Sequence, residues 1–188
     1  LLVAIKLPNQ SLFAWGLVGI AAILAASYPF MKRFFVLPQA YLGLAFGMGI
    51  PLACLQLQET IPVAVWCLFV ANIFWVVAYD TEYAMVDRAD DLKIGIKTAA
   101  ILFGRFDVFA IMLCYAVFLA LLLAIGLGQY YHWPYYLGLG LAAVLLVFQY
   151  RLIKTRDPRR CFQAFLDNQW IGCVIFAGLA LEHYLYSI

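Results

Sequence analysis

Residues 108–150 read VFAIMLCYAVFLALLLAIGLGQYYHWPYYLGLGLAAVLLVFQY, without one charged side chain. A helix needs about 20 apolar residues to cross a bilayer core, so this run holds two crossings joined by a turn. Gly126, Gly128, His132 and Pro134 supply that turn. Charge-free runs at 7–31, 34–58 and 60–79 fit one crossing each. A last apolar run, about 162–186, has Asp167 and Glu182 near its ends. Of the 188 residues 67% are hydrophobic and 12% charged, an apolar excess that only lipid can cover. The sequence therefore predicts an all-α fold, a polytopic transmembrane helix bundle. Its six helices fall at 11–31, 38–57, 62–79, 106–126, 135–150 and 162–186.

Punctuation agrees with those spans. Pro38 and Pro62 sit at first turns, where a missing N–H costs nothing, whereas Pro29 and Pro51 lie inside spans and predict kinks. Trp15, Trp66, Trp75, Trp133 and Trp170 suit an interfacial belt, with the lining of an apolar tunnel as the alternative for some of them. Cys54, Cys67, Cys114, Cys161 and Cys173 are scattered through apolar runs with no CxxC spacing, so neither metal nor disulfide is expected of them.

The net charge of +2 is uninformative, but its placement is not. Threading six helices alternately puts Lys32 and Arg33, residues 80–107 and residues 151–160 on one face. Every Lys and Arg except Lys6 lands there, which predicts a cytoplasmic face. Arg151, Lys154, Arg156, Arg159 and Arg160 are expected to meet anionic lipid headgroups. His132 and His183 lie far from the acids and are not catalytic candidates.

Six of the ten acids fall between residues 80 and 107: Asp80, Glu82, Asp87, Asp90, Asp91 and Asp107. If the third helix continues through them, a turn of about 100° per residue puts Asp80, Asp87 and Asp91 on one stripe. Glu82 and Asp90 then point elsewhere. Asp87 and Asp91, one turn apart, can share a divalent ion. Asp80, roughly 10 Å further along the axis, needs a separate role. Hard oxygen ligands suit Mg2+, which takes one or two carboxylates plus substrate phosphates. Such a device captures a diphosphate that carboxylates alone would repel. Tyr28 and Lys32, spaced i, i+4, and Arg33 can meet the same cavity from the first helix, and Lys97 can contact phosphate after Gly95.

The run Tyr79-Asp80-Thr81-x-Tyr83-Ala84-Met85-x-Asp87-Arg88-x-Asp90-Asp91-x-Lys93-Ile94-Gly95-Ile96-Lys97, closing with Ala100-Ile101-Leu102-Phe103-Gly104, resembles the second aspartate-rich motif of the UbiA-type intramembrane prenyltransferases. Within that family it is most similar to the 4-hydroxybenzoate polyprenyltransferases of ubiquinone synthesis. Tyr28-Pro29-Phe30-Met31-Lys32-Arg33 resembles the family's basic loop. The resemblance implies nine helices around a cavity, with Mg2+ bridging two aspartate motifs and the diphosphate. It implies that Asp87 and Asp91 bind the metal, that Asp80 lines the catalytic site, and that Tyr28, Lys32, Arg33 and Lys97 serve the diphosphate. The implied partners are a polyprenyl diphosphate, 4-hydroxybenzoate and membrane lipid, with no nucleic acid, in a bacterial inner membrane.

The family's first motif, Asn-Asp-x-x-Asp-x-x-x-Asp, has no counterpart, since none of Asn9, Asn72 and Asn168 precedes an Asp. With six helices of an expected nine and no initiator Met, residues 1–188 are expected to be one transmembrane prenyltransferase domain truncated at its N-terminus. The chain alone is expected to be inactive. Alternatives are another prenyl acceptor or, in a different class, a transporter using the acidic loop. Transport calls for ionisable groups near the midplane, and the spans as drawn hold none.

Overall fold

The computed structural model describes residues 12–58 and 60–186; the side chains of Lys32 and Arg33 lie outside the described residues. Eight α-helices follow in order: α1 (Leu12–Phe34), α2 (Pro38–Gly47), α3 (Gly49–Leu57), α4 (Val63–Ile94), α5 (Ala99–Phe103), α6 (Asp107–Gly128), α7 (Trp133–Ile153) and α8 (Pro158–Tyr186). A 3-10 turn, Gly104–Phe106, joins α5 to α6. Together they form six stretches long and apolar enough to span a membrane, with α2 and α3 acting as one stretch and α5 to α6 as another. Large side chains such as Phe109, Phe148 and Phe176 are exposed, as lipid-facing surface requires.

Three boundaries differ from expectation. The span at 38–57 is interrupted at Met48, where α2 ends and α3 begins. Pro51 has no N–H to offer the Gly47 carbonyl four residues back, and glycines flank the break. The third helix does not stop at 79 but runs to Ile94, because nothing between Asp80 and Lys93 breaks a helix. Gly95 ends it with φ +72°, a left-handed geometry suited to glycine, and the Gly95 and Ile96 N–H groups both donate to the Asp91 carbonyl. The last helix starts earlier than 162. Pro158 occupies its first turn, and Asp157 Oδ1 accepts from the Arg160 N–H at 3.0 Å.

The length of α4 matters for function. Thirty-two residues rise about 48 Å, well beyond a bilayer core of roughly 30 Å, so α4 is several turns longer than one crossing needs. The main core gathers around it, with Ala71, Ala78 and Met85 of α4 meeting Ile111, Tyr115 and Phe118 of α6 and Ile171 of α8. A smaller cluster joins Ala14 and Leu17 of α1 to Met48 and Leu55. The α7 and α8 backbones nearly touch. A Cβ on Gly178 would lie 2.9 Å from both the Pro134 carbonyl oxygen and the Gly138 Cα, so only glycine permits this crossing.

Candidate active site

The acids converge as the helical count predicts. Asp80, Asp87 and Asp91 line one cavity of about 100 Å3 with Gln39, Tyr83 and Thr98. Each wall has a local cause. The three aspartates come from one face of the extended α4. Gln39 stands in the first turn of α2, 2% exposed, and its Oε1 accepts from the Ala99 N–H at 3.0 Å. Thr98 caps α5 by accepting from the Ile101 N–H. The bond between Gln39 and Ala99 pins the 95–98 turn against α2 and thereby closes the cavity on one side.

The end of α1 lies beside the turn after α4. Tyr28 of α1 lies near Asp80 of α4. Lys97 Nζ donates to the Phe34 carbonyl at 3.5 Å, tying the turn after α4 to the last residue of α1. The last carbonyls of a helix carry partial negative charge, which makes them a suitable rest position for an ammonium group. The backbone of Lys32 and Arg33 lies in the last turn of α1, and their side chains fall outside the described residues.

An aromatic wall rises beside the acids. Tyr79 and Tyr83 of α4 pack on Phe165 of α8, with ring centroids 6.0 and 5.1 Å apart, and Tyr83 also meets Phe162. One turn deeper than Tyr79, Trp75 stacks on Phe118 at 5.4 Å and donates to Asn168 Oδ1 at 3.2 Å. Trp75 is thus a packed internal residue, not the belt residue expected of it. Below it lies an apolar groove of about 270 Å3, lined by Leu68, Asn72, Trp75, Phe118 and Phe176 among others.

Two acids prove structural. Glu82 was expected merely to point away from the site; it is fully buried between α4, α6 and α8. Tyr115 Oη stands 3.0 Å from Glu82 Oε1 and 2.8 Å from Asn168 Oδ1, while Asn168 Nδ2 donates to Glu82 Oε2 at 2.7 Å. Because α4 continues past residue 79, Glu82 lies inside that helix, and both of its carboxylate oxygens are held by hydrogen bonds from α6 and α8. Thr81, Glu82 and Met85 fall on the buried i, i+3, i+4 stripe of α4, a signal in the sequence that the acidic count obscured.

Asp107 is also fully buried, 3.2 Å from Arg88 Nη1 and 2.7 Å from Arg156 Nη2. Arg156 therefore bonds to protein, which corrects its expected place at the lipid headgroups. Hydrogen bonding to Asp107 raises the Arg156 guanidinium further above its ordinary range. Through Asp107, the C-terminal part of α4 that bears Asp87 and Asp91 is bound to the loop between α7 and α8.

Among the described residues, no group of three or more His, Cys, Asp or Glu side chains is gathered to hold a metal alone. Two carboxylates one turn apart at a cavity still fit Mg2+, which keeps several waters and fills its remaining positions with phosphate oxygens.

Residues 1–182 match the UbiA prenyltransferase family, and the chain belongs to it. It is 56% identical over 180 residues to the 4-hydroxybenzoate octaprenyltransferase of Cupriavidus pinatubonensis, an alignment covering 96% of this chain and 63% of that one. The protein of the same description from Cupriavidus necator is 54% identical over the same shares. The chain thus spans less than two thirds of the length of these relatives. The apo structure of a UbiA homolog from Aeropyrum pernix superposes with a TM-score of 0.78 at 22% identity, over 95% of this chain and 66% of the other. That likeness concerns the fold, an integral membrane helix bundle.

Proposed function

We propose that the whole protein transfers a polyprenyl group from its diphosphate to the ring carbon ortho to the hydroxyl of 4-hydroxybenzoate, as a step towards ubiquinone. The observation that carries this reading is the convergence of Asp80, Asp87 and Asp91 on one cavity at the membrane edge, beside an aromatic wall and above an apolar groove. An amphiphile with an anionic head and a long apolar tail matches that order. The relatives named 4-hydroxybenzoate octaprenyltransferase supply the acceptor and the class of donor.

In this reading Asp87 and Asp91 hold Mg2+, which when bound neutralises diphosphate charge and so favours its departure. Tyr28, Lys32, Arg33 and Lys97 add donors and positive charge for the same phosphates. The allylic C–O bond breaks and the diphosphate leaves with its electron pair. Tyr79, Tyr83, Phe162 and Phe165 offer π faces to the developing positive charge and exclude water from it. The aromatic carbon beside the phenolic hydroxyl attacks, a C–C bond forms, and the ring proton departs. Asp80, in the same cavity but further down α4, is placed to orient the acceptor. The full protein has nine helices in this reading, with a first aspartate motif facing Asp87 and Asp91, and it sits in a bacterial inner membrane with the acids on the cytoplasmic side.

The test uses the full-length protein in lipid, with radiolabelled prenyl diphosphate and 4-hydroxybenzoate. Mg2+-dependent prenylation is expected, falling by about a hundredfold or more in Asp87→Ala and in Asp91→Ala. Lys97→Ala should raise the KM for the diphosphate while leaving that for the acceptor unchanged. Near-normal turnover of both aspartate variants at limiting Mg2+ would sink the site assignment, and absence of any prenylated product would sink the activity.

A further inference from the structure

A second cavity, of about 600 Å3, opens between α7 and α8, and Gln149, Arg151, Arg160, Asp167, Phe148 and Trp170 are among its lining residues. It is separate from the acidic site. On α8, Asp167 and Trp170 stand roughly 140–200° around the helix from Phe165, which faces α4. Arg151 lies in the last turn of α7 and Arg160 in the first turn of α8, so both line the groove at the same end of the helix pair. Gln149 is two residues, about 3 Å, further into the membrane, and Asp167 about 10 Å beyond Arg160. Phe148 and Trp170 continue the walls towards the hydrocarbon.

The polar inventory is specific. None of the ion pairs among the described residues involves Arg151 or Arg160. Arg151 rests over the Phe148 ring at 5.6 Å. Gln149 is 2% exposed; its Nε2 donates to the Ala164 carbonyl at 2.9 Å, while its Oε1 has no partner among the described residues. A buried acceptor left in that state calls for a donor. Asp167 accepts from Gln163 Nε2 at 2.7 Å through one oxygen and has acceptor capacity to spare. The groove thus presents two cations at its mouth, two acceptors deeper in and apolar walls beside them. An occupant must carry an anion, N–H donors next to it, and a hydrocarbon tail.

We propose that this groove is a headgroup site for an aminophospholipid, phosphatidylethanolamine. Its phosphate lies between Arg151 and Arg160. Its ammonium turns inward, where it donates to Gln149 Oε1 and the Asp167 carboxylate, and its acyl chains run along Phe148 and Trp170. The three N–H donors of a primary ammonium decide the choice. A choline headgroup has the same phosphate and charge but nothing to donate, and a glycerol headgroup brings no cation for Asp167. The site would bind α7 to α8 at their polar ends, where the Gly138–Gly178 crossing near their other ends does not reach.

The test is lipid retention by the protein in mild detergent, followed by native mass spectrometry. Ethanolamine, choline and glycerol phospholipids with identical acyl chains are the probes. The ethanolamine lipid should bind about tenfold more tightly than the choline lipid. The Arg151→Gln, Arg160→Gln double variant should lose retention of all three. Gln149→Leu should reduce the ethanolamine lipid to the level of the choline lipid. Because that change also removes the bond to Ala164, Asp167→Asn at a more exposed position provides an independent check and should narrow the same gap. Equal retention of the ethanolamine and choline lipids, tighter binding of the glycerol lipid, or undiminished retention by the double arginine variant would each overturn the proposal.

Discussion

The Asn168 side-chain amide donates to Glu82 Oε2 at 2.7 Å, tying α8 to α4 across 86 residues of sequence. Tyr115 brings α6 to the same point. Glu82→Leu would leave the Tyr115 hydroxyl with Asn168 Oδ1 alone and the Asn168 amide with the Ala164 carbonyl alone, at a cost of about 1–3 kcal/mol. Glu82→Gln keeps hydrogen-bonding atoms in place and should cost about 1 kcal/mol or less. Thermal unfolding in detergent checks both, and equal stability of the leucine variant and the parent would show that the network binds nothing.

Asp107 makes a comparable but outer connection. Removing Arg156 leaves a fully buried carboxylate with Arg88, itself partly exposed, and the Val108 N–H, so Arg156→Ala should destabilise by about 1–3 kcal/mol. A double-mutant cycle with Asp107→Ala should give a coupling energy of about 1–2 kcal/mol. Contact with Asp107 raises the guanidinium pKa, so this stability is present throughout neutral and moderately alkaline pH. It should be lost only as pH climbs through the raised guanidinium value, and melting curves from neutral to moderately alkaline pH should show no change from this pair.

The crossing of α7 and α8 makes a steric prediction. A methyl group on Gly178 meets backbone atoms, not a flexible side-chain end, so the helices must part to admit it. Gly178→Ala should cost about 1–3 kcal/mol and Gly178→Val more. By contrast Gly140, around which nothing lies within 4 Å, should accept alanine with a change of about 0.5 kcal/mol or less. Similar melting temperatures for the alanine variants at 178 and 140 would refute the close approach.

Topology is open to direct measurement. Single cysteines placed at residues 92, 105 and 155 should resist an impermeant thiol reagent added to intact cells and react after lysis. A cysteine at residue 130, in the turn between α6 and α7, should be labelled from outside. The one-sided placement of Lys and Arg is the warrant. Labelling of any of the first three in intact cells would reverse or break the proposed threading.

The Asp80, Asp87, Asp91 stripe was legible in the sequence because a helix converts spacing into direction without help from its surroundings. The number of spans was legible for a similar reason, since the bilayer demands a fixed apolar length. Gln39 escaped notice because its importance comes from one bond to the Ala99 N–H, 60 residues away. The reach of α4 to Ile94 was visible in the absence of a breaker before Gly95, yet charge density at its end looked like a loop.

Periodicity and apolar length, both local properties of the chain, therefore determined the number of apolar helical stretches and the one acidic face. Which charges serve chemistry and which serve structure was decided only by tertiary packing. Asp87 and Glu82 are similar carboxylates five residues apart on one helix. One lines an open cavity, and the other lies where α6 and α8 cover it completely. Burial in an apolar interior obliges every polar atom to find a partner, and those partners, Tyr115 and Asn168, arrive from distant parts of the chain.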